Sequence, residues 1–79
     1  MIDQILDELI GLLSQKTGQE LLRSEVKSQT LMSLSQNQMP EATMLCQDIE
    51  EHFGIEPLAR WGTMNVLEIA EQIVKEKEE

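Results

Sequence analysis

The chain has 79 residues, enough for one domain (1–79) and too few for two. Hydrophobic residues make up 41% and charged residues 27%, an ordinary balance for a folded protein and not that of a disordered chain. Fifteen Asp and Glu against 6 Lys and Arg give a formal charge of -9. That charge argues against nucleic acid and anionic membrane surfaces, since neither is neutralised by an acidic face. It suits a protein partner with a basic patch, although acidity also serves solubility alone. A single cysteine, Cys46, excludes an internal disulfide. The opening Met1-Ile2-Asp3-Gln4 lacks the basic start of a signal peptide, and no apolar run has membrane-spanning length, so a cytoplasmic location is expected.

In chain order, Ile2, Ile5, Leu6, Leu9, Ile10 and Leu13 recur at steps of three and four and predict an amphipathic helix that stops at Thr17-Gly18. Residues 18–38 are less regular and read as a long connection, pinned by Leu21, Leu22, Val26, Leu31, Met32 and Leu34, with at most a helical turn near 19–24. A second helix is expected from Pro40 to Phe53, burying Ala42, Leu45, Cys46, Ile49 and Phe53 and ending at Gly54. Glu41, Gln47, Asp48 and Glu51 would face solvent. Residues 55–64 allow one short turn. Asn65 is a good N-cap for a last helix with Val66, Ile69, Ala70, Ile73 and Val74 on one face and a frayed tail over Lys75–Glu79. The fold class is all-α, without strand-like alternation.

No catalytic set is visible, and the chain is not expected to be an enzyme. The acid pairs Asp7-Glu8, Glu50-Glu51 and Glu78-Glu79 are sequence neighbours, which do not converge on one helix face, so a solvated face is the simpler reading. Cys46 and His52 do not stack on one face, and no second His or Cys completes a zinc site. Cys46 reads as a small core residue and His52 as a surface one. Met32 and Met44 are expected to fill core, and Trp61 to anchor the short turn near it.

The layout resembles the acyl and peptidyl carrier proteins. Ile2-Asp3-Gln4-Ile5-Leu6-Asp7-Glu8-Leu9-Ile10-Gly11 is similar to the family's first helix, and Thr30-Leu31-Met32-Ser33-Leu34 to the piece before its attachment loop. Asp48-Ile49-Glu50-Glu51-His52-Phe53-Gly54-Ile55 is similar to the end of its second helix, and Asn65-Val66-Leu67-Glu68-Ile69-Ala70-Glu71-Gln72-Ile73 to its fourth. Arg60-Trp61-Gly62-Thr63 is similar to the alanyl carrier branch. The resemblance covers nearly the whole chain and implies a four-helix bundle with a long first connection and a short third helix.

It also implies an attachment serine for a 4'-phosphopantetheine arm at the start of the second helix. Counting back from Phe53 by the family's interval places that position at Met39, and anchoring on Leu34 places it at Gln38. Neither has the oxygen nucleophile that phosphopantetheinylation requires. The nearest hydroxyls, Ser33 and Ser35, lie upstream of both positions and are expected to be turn or cap residues; they are attachment sites only if the loop is rebuilt. The expectation is therefore a monomeric, carrier-like binding module without cofactor or metal. It would dock on a biosynthetic enzyme through Met39, Glu41, Asp48 and Glu51. A functional acyl or aminoacyl carrier modified on Ser35 or Ser33 is one alternative, and an unrelated small helical docking domain is the other.

Overall fold

The apolar stripe of the first segment folds as helix α1, Ile2–Thr17, in a computed structural model that describes residues 2–58 and 60–78. Leu6, Leu9, Ile10 and Leu13 are buried, with Ile2 and Ile5 partly so, while Asp3, Gln4, Asp7 and Glu8 stay exposed. The helix stops as expected: Gly18 takes φ 68° and its amide donates to the Ser14 carbonyl at 2.9 Å. Glycine adopts this left-handed conformation without a Cβ clash.

The connection differs from its sequence reading. It contains two single-turn helices, α2 (Arg23–Val26) and α3 (Leu31–Leu34), where the sequence allows at most one turn near 19–24. In α2 the Leu22 carbonyl accepts from the Glu25 and Val26 amides, and Val26 is buried. In α3 the Thr30 hydroxyl accepts from the Ser33 amide at 3.2 Å, an N-cap that precedes the buried pair Leu31 and Leu34. The Arg23 guanidinium reaches back to Asp3 at 2.7 Å and Asp7 at 3.3 Å on α1. Exposed pairs of this kind contribute about 0.2–1 kcal/mol each, so the buried Val26, Leu31 and Leu34 hold the connection more firmly than they do.

Helix α4, Met39–Phe53, buries the expected Ala42, Leu45, Cys46, Ile49 and Phe53. Gly54 closes it at φ 66°, where both the Gly54 and Ile55 amides donate to the Glu50 carbonyl. The described residues of 55–64 form one 3-10 turn, Trp61–Thr63, with Trp61 partly buried against the core as expected. Helix α5, Val66–Glu78, buries Val66, Ile69, Ala70 and Ile73, while Val74 is half-buried. The expected fraying over Lys75–Glu79 is not seen as far as Glu78, because Lys and Glu are strong helix formers; Glu79 lies outside the described residues.

Helix α1 packs on α5 and α4, α3 packs on α4 and the 3-10 turn, and one core runs through all of them. The described residues are thus all-helical, with five α-helices and no strand; an isolated antiparallel bridge joins Thr30 to Asn65. That bridge belongs to a larger clamp. The Val66 amide donates to the Gln29 carbonyl at 2.9 Å and the Leu67 amide to the Lys27 carbonyl at 3.2 Å. Asn65 Oδ1 accepts from the Glu68 amide at 2.8 Å, and Glu68 Oε1 accepts from the Asn65 amide at 3.1 Å, a reciprocal capping box. The first amides of α5, orphans in most helices, all have partners. Asn65→Ala is expected to lower stability by about 1 kcal/mol in urea unfolding. An unchanged midpoint would show that the cap contributes nothing.

Candidate docking site at the joint of α3 and α4

The chain turns from α3 into α4 through Gln36 (φ 57°) and Asn37 (φ 63°), two consecutive non-glycine residues in left-handed conformation. Such residues cost on the order of 1–3 kcal/mol each, less for Asn, and persist only where their surroundings hold them. Here the Asn37 amide donates to the Met32 carbonyl at 2.7 Å and the Gln36 amide to the Ser33 carbonyl at 3.2 Å. Gln38 is then the N-cap residue of α4, without a side-chain cap bond, and Met39 opens the helix with 59% of its surface exposed. Both candidates for the family's attachment position therefore meet solvent, and neither carries a hydroxyl.

The two upstream serines part company. Ser35 is 4% exposed, and its hydroxyl donates to the Met32 carbonyl at 3.0 Å. Its hydroxyl is thus engaged and largely buried, although Ser35 is among the residues that line the groove described below. Ser33 is exposed on α3. Ser35 is the C-cap residue of α3, the role expected of it, whereas Ser33 lies within the turn of α3.

On α4, Glu41, Met44, Asp48 and Glu51 follow one another at steps of three, four and three and form a single stripe on the outer face. Glu41 and Glu51 are exposed and Asp48 half-buried. Met44 is 62% exposed, which corrects the expectation that it fills core; its place on the stripe with Asp48 and Glu51 turns it outward. Met32 does pack against the core. Met39, grouped with the acids on sequence, stands about 160° round the helix from Glu41 and does not share their stripe.

Beside the stripe lies an open groove of about 590 Å³ between the end of α1, α3 and α4, with Leu34, Met44 and Leu45 as its apolar lining and Glu41 and Asp48 among its polar groups. Lys16 of α1 sits in the same groove, with its ammonium 3.9 Å from Asp48 Oδ2. The Gln19 side-chain amide donates to the Leu34 carbonyl at 3.3 Å and ties the residues after α1 to α3.

Behind this face, Glu50 departs from the reading of a solvated acid pair. It is half-buried, and its Oε2 accepts from the Leu58 amide at 2.8 Å and the Cys46 thiol at 3.2 Å. The sequence signal for this was weak: Glu50 lies one turn after the buried Cys46, about 40° beyond the edge of the buried stripe. Burial first, and then the Glu50 carboxylate, push the Cys46 thiol from 9.0 up to about 12. His52 is exposed and pairs with Glu8 on α1 at 3.1 Å, so it does not meet Cys46. No group of three or more potential metal ligands occurs among the described residues, and no described helix is long and apolar enough to cross a membrane.

Comparison with protein families, curated proteins and solved structures finds no family model that matches, no similar curated protein and no similar solved structure.

Cys46 is expected to resist alkylation at pH 8 in the folded protein and to react fully in denaturant; fast labelling of the folded chain would contradict its burial. The raised pKa also sets a pH dependence. The unfolded thiol ionises above about pH 9 while the folded one stays protonated, so its stabilising contribution is lost as pH rises from about 9 towards 12. Cys46→Val should remove that component, read as the difference between the two stability profiles.

Proposed function

We propose that the chain is a carrier-protein-like binding module that has lost the site for its arm and acts by docking on a biosynthetic enzyme or complex. The observation that carries this reading is the outer face of α4, where Glu41, Asp48 and Glu51 flank an exposed Met44 immediately after a helix start that offers Gln38 and Met39 in place of a hydroxyl. A stripe of one charge speeds encounter with a basic partner and rejects acidic ones, and an exposed methionine within it supplies adaptable apolar contact. Three long helices, α1, α4 and α5, together with a long pinned connection and a short turn before α5, are compatible with a carrier-like bundle in which the 3-10 turn Trp61–Thr63 stands for the short third helix. The role is recruitment or regulation, without catalysis and without a bound cofactor.

The direct test is to incubate the protein with coenzyme A and a broad-specificity phosphopantetheinyl transferase and then take an intact mass. No mass gain is expected beside a fully modified control carrier. A gain of one phosphopantetheine would overturn the armless reading in favour of a working carrier, and fragmentation would show whether Ser33 or Ser35 bears the arm. The same mixture tests docking. Excess wild-type protein is expected to slow modification of the control carrier by competing for the transferase. The Glu41→Lys/Asp48→Lys double variant should compete roughly tenfold less well. Modification of the control at an unchanged rate would sink the docking reading.

A further inference from the structure

The groove beside the α4 stripe holds two carboxylates, Glu41 and Asp48, and one cation, Lys16. Lys16 belongs to α1 and reaches Asp48 across the groove at 3.9 Å, with 46% of its side chain exposed and 30% of that of Asp48. The contact is long and partly solvated, so it is weak and readily exchanged. Glu41 makes no ion pair with a described residue. The groove therefore keeps an excess of one negative charge over an apolar lining of Leu34, Met44 and Leu45. Its charge and shape fit a lysine or arginine carried next to an apolar side chain.

We propose that this groove takes such a basic, amphipathic helical segment of a protein partner, and that Lys16 is a built-in competitor occupying the cation position on Asp48 until the partner's own cation displaces it. The inference rests on the docking reading above and adds to it a location and a regulating residue. Lys16 lowers the affinity for any basic segment by holding Asp48. A partner succeeds when its apolar side chain, seated against Met44 and Leu45, supplements the exchange of one cation for another. A highly charged but purely polar cation lacks that supplement.

The test uses a synthetic amphipathic helical peptide of leucine and lysine, titrated into the isotopically labelled protein and followed by NMR. The amides of Glu41, Met44 and Asp48 should shift, and Lys16→Met should tighten binding roughly two- to fivefold, the range expected for releasing an exposed ion pair. Lys75→Met, which removes the same charge on α5, should leave the affinity nearly unchanged. In an Asp48→Asn background the gain from Lys16→Met should vanish. Equal gains from Lys16→Met and Lys75→Met, or a Lys16→Met gain that survives in Asp48→Asn, would overturn the competitor role while leaving docking intact. A peptide that shifts no groove amide would overturn the docking reading and this one together. Unfolding curves of each variant separate a lost fold from a lost contact.

Discussion

The structure depends on the clamp that the connection places on the start of α5. A helix begins with amides that have no partner inside it, and a buried helix start must find partners elsewhere. Here the carbonyls of Gln29 and Lys27 take the Val66 and Leu67 amides, and the Asn65–Glu68 box closes the turn. The same stretch of connection buries Val26 and Leu31 completely or nearly so. A segment that looks like a loop in length and polarity is therefore a wall of the fold, held by backbone bonds to one helix and by apolar burial against the others.

The candidate site follows from that wall. With α3 fixed by Leu31 and Leu34, the chain has only Ser35–Gln38 in which to reverse into α4, and it does so with two left-handed residues. The reversal turns Ser35 inward, presents Gln38 and Met39 to solvent, and leaves α3 facing the outer side of α4 across a groove. On the inner side of α4, Glu50 fastens the descending chain at Leu58 and adds to the burial that raises the pKa of the Cys46 thiol. The outer face is left with Glu41, Met44, Asp48 and Glu51, and among the described residues its charge is neutralised only at Asp48 and only weakly.

The three long helices were legible because each repeats apolar residues at helical spacing and carries its own stop or start signal. Gly18 and Gly54 adopt the left-handed caps their positions suggest, and Asn65 caps α5. The short turns were not legible, because one turn shows no period; α3 was marked only by Thr30 ahead of Leu31 and Leu34. At the site, the headings of Glu41, Asp48 and Glu51 could be counted along α4. The exposure of Met44, the burial of Ser35 and the Lys16–Asp48 contact could not, since each depends on where α1 and α3 lie against α4. Glu50 was misread for the same reason: its partner Leu58 is brought back by the chain reversal at Gly54.

The connection is a fixed part of the fold that closes α5 and walls the groove. Amide hydrogen exchange at Val66 and Leu67 tests it most directly, because the leading amides of a helix without such partners exchange quickly. The clamp predicts that both are protected to the same degree as the core amides of α1 and α4, exchanging only when the whole protein unfolds. Exchange at the rate of an exposed loop amide without a hydrogen-bond partner would contradict it.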